Sequence, residues 1–340
     1  SKAGRRRSER RESIILMMNV LLTGGAGYIG SLVARWLISE GHRVTALDSL
    51  IHGGHALLGL YHEDNFDFVH GDVRAAAVIE KALAGADAVV HLAAVVGDPA
   101  CARQPTVARE VNLDASLQLF EVAQHLGISR FVFASTCSNY GKMVDPSQYV
   151  TEESELRPIS LYAETKVAVE RALLDIASGN CPAVTVLRFA TVFGLSPRMR
   201  FDLTVNEFAM ELLIERKLMV YGEQFWRPYI HVFDAARAIA LVLSSPQEKV
   251  GGRVFNVGDT EQNYRKGAIV DLICAQIDDP VEIEYVQTEE DPRDYRVSFE
   301  RIGRELGFSI TRTVEDGIRE VIDVVSQGAI TDFNNPYYRN

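Results

Sequence analysis

Between residues 19 and about 190, short apolar runs alternate with longer stretches whose apolar residues recur every three or four positions. Strands are expected at 19–23, 44–48, 66–70, 88–93, 131–135 and 184–188, with helices at 28–39, 75–84, 105–126 and 160–177. Helices of this length between strands imply βαβ units, and so an α/β fold with a doubly wound parallel sheet. VLLTG, DAVVHLAA and RFVFAST are almost continuously apolar, as strands covered on both faces must be.

Beyond residue 190 the rhythm loosens. Helices are expected at 203–215, 234–243, 267–277, 299–306 and 314–325, and strands near 218–221 and 229–232. RVFNVG, at 253–258, reads as a further strand that rejoins the main sheet. The expected architecture is a Rossmann-type main domain, 17–190 plus about 253–262, with a smaller, partly interleaved C-terminal substrate domain, 191–252 and 263–330.

Bulk properties narrow the function. A net charge of −11 argues against nucleic acid or an anionic membrane as partner. Cys101, Cys137, Cys181 and Cys274 are scattered without a CxxC or histidines at ligand spacing, so no metal site is expected and the thiols read as those of a reduced, cytoplasmic protein. No apolar run approaches the roughly 18–20 residues that span a bilayer. Residues 1–16, rich in arginine, read as a disordered basic leader upstream of a physiological start at Met17 or Met18.

LLTGGAGYIG sets Gly24, Gly27 and Gly30 directly after the first strand and into the opening of the first helix. In that setting glycines let the backbone turn tightly and approach a pyrophosphate, whose charge then rests at the helix N-terminus. Asp48 ends the second strand, where a carboxylate accepts hydrogen bonds from both adenosine ribose hydroxyls and repels a 2′-phosphate. NAD is therefore expected over NADP, with Arg43 too far back along the strand to offset that charge. Asp72, after the third strand, either faces the adenine or sits in a solvated turn.

In SLYAETKVAVERALLDI, Tyr162, Lys166, Val169 and Leu173 share one helical stripe, while Glu164, Arg171 and Asp175 mark the wet side. A lysine on the inward face either snorkels to water or serves a purpose there. The segment FASTCSNYG leaves the fifth strand at the edge where open α/β sheets bind ligands, so a hydroxyl from Ser135 or Thr136 can converge with Tyr162 and Lys166. A neighbouring ammonium could supply much of the roughly 4 kcal/mol needed to bring a phenol from about 10 to neutrality.

With TGGAGYIG, HLAA (91–94), STCSNYG (135–141), YAETK (162–166) and RPYIHVFDAARA (227–238), the sequence resembles the extended short-chain dehydrogenase/reductases over about residues 18–325. The branch is that of NAD-dependent nucleotide-sugar epimerases and dehydratases. The resemblance implies Tyr162 as acid/base and Lys166 orienting the nicotinamide ribose while lowering the phenol pKa. Thr136, with Ser135 as fallback, would bind the reacting sugar hydroxyl. It implies cofactor contacts at Tyr28, Ile29, Asp48, Asp72, Val73, Leu92, Ala93 and Ala94, besides the three glycines. Arg227 matches an arginine that grips the substrate diphosphate, and Arg293 is a second candidate, the alternative being a surface salt bridge. Asn206 either touches the nucleotide or faces solvent. Many relatives carry an arginine just before the position of Asp291, where this chain has Thr288, Glu289 and Glu290. A homodimer through the helices at about 105–126 and 160–177 is implied as well.

Nucleotide-sugar 4,6-dehydratases carry Asp and Glu after the threonine, whereas Cys137 and Ser138 stand here. Serine does not titrate usefully, and an ordinary cysteine does so near 8.5. Cys137 is then either an unusual acid/base in the substrate site or a small apolar filler. The expectation is an NAD-dependent epimerase of a nucleoside-diphosphate sugar working through a transient ketone. Its alternatives are a reductase or dehydrogenase with net redox, a dehydratase, and an NAD-binding regulator without catalysis.

Overall fold

The computed structural model describes residues 17–143, 145, 148–176, 182–288 and 293–340. The expected leader, Cys181, and Glu289 and Glu290 of the departure before Asp291 lie outside them. Seven parallel strands form the central sheet: β1 (Asn19–Thr23), β2 (Arg43–Asp48), β3 (Phe66–His70), β4 (Ala88–His91), β5 (Arg130–Thr136), β6 (Ala183–Phe189) and, after three strands elsewhere, β10 (Arg253–Val257). Their order is β10-β6-β5-β4-β1-β2-β3. The order reverses between β1 and β4, so the ligand crevice of an open α/β sheet opens there, outside the carboxyl ends of the strands.

Strand side chains alternate between two cores, as the pleat requires. Leu21, Val89, Phe131 and Phe133 pack under the helices Ala76–Leu83, Ala115–His125 and Leu161–Ile176. Val20, Leu22, Val44 and Ala46 pack on the opposite face, which the helices Gly30–Ser39 and Val232–Ser244 cover. All four residues of β4 are buried, which accounts for its unbroken apolar reading.

The C-terminal part has its own core around Phe193, Phe201, Val205, Leu212, Tyr229, Ile269 and Ile318. Two small sheets brace it. β11 (Asn263–Arg265), β9 (Trp226–His231) and β7 (Thr191–Phe193) form one; β12 (Glu282–Val286) and β8 (Lys217–Tyr221) form the other. β7, β11 and β12 were not expected: the first two have three residues each, too short for a period, and β12 carries glutamates on a largely exposed ribbon.

The helix expected at 105–126 is interrupted. It runs Pro105–Arg109, passes through a π turn at Glu110–Asp114, and resumes at Ala115–His125. The buried Asn112 in that turn accepts from Val95 N at 2.8 Å and donates to Val95 O at 2.9 Å, anchoring the loop after β4. Such π turns cluster at functional sites. Among the described residues no helix is long and apolar enough to cross a membrane.

Candidate active site

The turn after β1 shows why its glycines are needed. Gly24 has φ +72°, and a Cβ there would lie 2.9 Å from Ala93 N; a Cβ on Gly30 would lie 2.0 Å from Gly24 O. Only bare backbone brings the helix Gly30–Ser39 this close to β1 and β4. Asp48 closes β2 with its carboxylate at the same edge, accepting from Ala26 N at 3.0 Å and Leu50 N at 2.8 Å. Its partial burial raises its pKa, against the pull of those amides and of Arg198. Glycine main chain beside a helix N-terminus, with a carboxylate at the end of β2, fits the pyrophosphate and ribose of a dinucleotide. Leu92, Ala93 and Ala94 follow β4 against the turn, half-buried, and Ala93 N donates to Thr23 Oγ1.

Several expected cofactor contacts are placed differently. Tyr28 turns its phenol into the C-terminal part, donating to Gly194 O at 2.6 Å and accepting from Asn206 at 3.2 Å. It thus pins the turn to the segment after β7, and burial pushes its pKa up. Ile29 packs against the core. Asp72 is clasped by Arg74 at 2.7 Å, whose other arm takes Glu110; this guanidinium holds the Asp72 carboxyl below its usual range, as in the solvated-turn reading. Val73 is buried in the core. Arg43 sits at the far end of β2, paired with Asp67.

Lys166 does not snorkel. It is 3% exposed, its Nζ donates to Ala134 O at 2.8 Å, and it lies 4.7 Å from the Phe133 ring centre and 6.0 Å from that of Tyr162. Burial pulls its pKa down to about 8, with Glu170 acting in the opposite sense. Tyr162 is raised above its usual value, burial being the main cause; Cys101 and Asp98 push the same way and Arg200 opposes them. The lowering expected from Lys166 is therefore not what the fold displays. Its ammonium is directed at the end of β5.

That attachment brings the elements together. Lys166 bonds Ala134 and Glu170 accepts from Ser135 Oγ, so the helix Leu161–Ile176 is fastened to β5 just before Thr136. Thr136 Oγ1 accepts from Ser138 N at 3.1 Å at the strand's carboxyl end. Ser135 does not suit the fallback role: its hydroxyl is buried, donating to Glu170 and accepting from Asn139. Cys137 is corrected as a substrate contact as well. Its buried thiol donates to Arg188 O at 3.2 Å, and desolvation raises its pKa well above the usual value, so it packs as filler. Asn206 neither touches the crevice as expected nor faces solvent. Fully buried, it accepts from Gly194 N and donates to Arg200 O and Tyr28.

Beneath this junction lies a network that sequence reasoning missed. Glu170 and Arg188 form a buried pair at 2.7 Å; Arg188 also donates to Tyr140 OH, which donates to Asn256 at 2.6 Å. The available signal was Glu170's position four residues after Lys166, continuing the Tyr162–Lys166 row.

On the other wall, Arg227 is nearly buried, donating to Trp226 O at 2.7 Å and to the Arg293 carbonyl, with its guanidinium 5.7 Å from the Tyr295 ring centre. Arg293 does form a salt bridge, to Asp98 at 3.1 Å, far along the chain. Asp98 in turn accepts from Ser160 Oγ at 2.6 Å, two residues before Tyr162. Arg227 and Arg293 thus stand together on the side of the crevice facing the start of the helix Leu161–Ile176.

The sequence from 20 to 258 matches the model of the NAD dependent epimerase/dehydratase family. A UDP-glucose 4-epimerase of Corynebacterium glutamicum is 29% identical over 315 residues, 87% of this chain and 92% of that protein. A dTDP-glucose 4,6-dehydratase of Streptomyces griseus is 30% identical over 312 residues, 89% and 93% respectively. The UDP-glucose 4-epimerase of Thermus thermophilus, solved with NAD, superposes with a TM-score of 0.79 at 26% identity, covering 92% of this chain and all of that one.

Proposed function

The chain belongs to the NAD-dependent epimerase/dehydratase family, and within it we propose that the protein epimerises a nucleoside-diphosphate sugar through a transient ketone. The observation that carries the choice is the pair following Thr136. Cys137 has its thiol in the core with a raised pKa, and Ser138 has no titratable group, so no acid stands there to expel a hydroxyl as water.

The cofactor is NAD. The glycine turn would hold its pyrophosphate, Asp48 its adenosine ribose, and Lys166 its nicotinamide ribose. When bound it supplies the hydride acceptor and donor and, oxidised, a positive charge. Tyr162 then removes the proton from a sugar hydroxyl oxygen as that carbon becomes a carbonyl, and returns it when the carbon is reduced again. Thr136 fixes that oxygen. Arg227 and Arg293 take the diphosphate, for which planar guanidinium forks suit paired oxygens. As the fold stands, burial keeps the phenol protonated, so nearby cations must favour its ionised form; Arg200 is one the chain itself provides.

Incubation of the purified protein and NAD with UDP- and dTDP-linked hexoses tests this. The expected result is a stereoisomer of the starting sugar nucleotide with no accumulating reduced nicotinamide. Sustained absorbance change marks net redox, and a product lacking the elements of water marks a dehydratase; either overturns the epimerase reading.

A further inference from the structure

Residues 332–340 lie outside both the family-model match and the span of the sequence resemblance, and they are not loose. Phe333 and Tyr338 pack edge-on against Phe201 at 5.5 and 5.6 Å, and Phe201 N donates to Tyr338 O at 2.9 Å. A short helical turn, Pro336–Tyr338, is capped by Asn335, whose side chain accepts from Tyr337 N. This anchors the segment to the C-terminal part of the molecule.

From there it reaches the main sheet twice. The Tyr337 ring stands 5.7 Å from that of His55 and against Gly53, in the loop after β2. The Asn340 carbonyl accepts from Arg103 Nη2 at 3.1 Å, on the helix Asp98–Arg103 after β4. In the sheet, β1 lies between β2 and β4. The two contacts therefore fall on either side of the glycine turn, and the segment between them bridges the crevice that the turn opens into.

The polar atoms at this bridge are unfinished. Among the described residues, Arg198 Nε, Tyr337 OH and Asn340 Oδ1 are buried without a hydrogen-bond partner. Arg198, 1% exposed, donates through Nη2 to Arg339 O at 2.9 Å, and its charge reaches Asp48. Buried donors and acceptors are costly to leave unpaired, and a cluster of them calls for a polar ligand.

We propose that residues 332–340, together with Arg198, complete the dinucleotide site by closing over the adenosine diphosphate half of NAD and retaining it between turnovers. Phosphate and ribose oxygens supply the acceptors that Arg198 Nε lacks, and ribose hydroxyls can pair with Tyr337 OH and Asn340 Oδ1. The proposal concerns cofactor retention alone, so it stands or falls whichever sugar reaction the enzyme carries out.

The test is release of reduced NAD, followed by its fluorescence as excess NAD displaces it. Arg103→Ala with Tyr337→Ala removes the contacts to the main sheet while leaving Phe333 and Tyr338 anchored. A second variant deletes residues 331–340. Release at least tenfold faster than wild type is expected from both, and from Arg198→Met, with the double variant melting as a folded protein. Hydrogen exchange at 332–340 in the wild type should slow when NAD is added. Unchanged release from the folded double variant would reduce the segment to packing, and slower release would make it an obstruction; either result overturns the proposal. Should the deletion fail to fold, the double variant decides.

Discussion

Two arginines, Arg188 and Arg198, are ten residues apart and almost equally buried, yet the molecule treats them in opposite ways. Arg188, beneath the helix Leu161–Ile176, meets Glu170 through Nε and Nη2 and Tyr140 through Nη1. Arg198, at the mouth of the crevice, spends Nη2 on one backbone carbonyl, leaves Nε orphaned, and is pulled down to about 10, with burial the main cause. A buried charge is tolerated when paired and costly when not. The saturated arginine braces the strand and helix that carry Thr136, Tyr162 and Lys166. The unsaturated one marks where a ligand contributes to the fold.

The largest expected effect falls on chemistry supported by the saturated side. Tyr162→Phe should lower turnover of the sugar nucleotide by about 10²–10⁴-fold, the usual value of a positioned acid/base. Binding of NAD, measured by calorimetry, should persist; turnover near the wild-type level would remove the phenol from the mechanism.

Next, Arg188→Met should cost about 3–5 kcal/mol in urea unfolding, because it leaves the Glu170 carboxylate buried and uncompensated. A cost below ~1 kcal/mol would mean that this network does not brace the site.

Lys166 gives an effect on the order of 3 kcal/mol that depends on pH. Its folded pKa, about 8, is below the usual 10.5, so between these values the unfolded chain holds a proton that the folded chain has shed. This group therefore makes stability rise as pH increases through that window, and its penalty is fully present below pH 8. Tyr162, raised in the fold, acts in the opposite direction only above about pH 10, the usual phenol value. Lys166→Met should flatten the wild-type rise between about pH 8 and 10; an identical slope in both proteins would rule out a buried, weakened ammonium.

The smallest change in stability should come from Arg198→Met. Replacing a poorly paired buried cation with an apolar chain is often neutral or stabilising, so unfolding without ligand should shift by less than ~1 kcal/mol. A loss as large as that from Arg188→Met would erase the contrast between the two arginines.

Much of the scaffold was legible because it is local. The glycine turn follows β1 as expected, β1 and β3 have the expected bounds, and Glu164, Arg171 and Asp175 are exposed as their helical phase requires. Side chains whose partners are distant were harder to read. Nothing near Tyr28 points to Gly194, nor anything near Asn206 to the glycine turn; Tyr28 was expected beside the cofactor and Asn206 either on the nucleotide or in solvent, and both side chains fasten the two parts of the chain together. Cys137 is adjacent to Thr136, yet it opens the short helical turn Cys137–Tyr140 that follows β5, and its thiol donates to Arg188 O.

By itself the sequence determined the alternation of strand and helix, the bare turn after β1 and the shared face of Tyr162 and Lys166, because these depend on periods of two and 3.6 residues and on neighbours within a turn. Tertiary structure alone decided that Lys166 would bond Ala134, that Glu170 and Arg188 would neutralise each other, and that residues 332–340 would bridge the crevice. Burial and pairing depend on which surfaces meet, and here the partners are separated by as many as 237 positions.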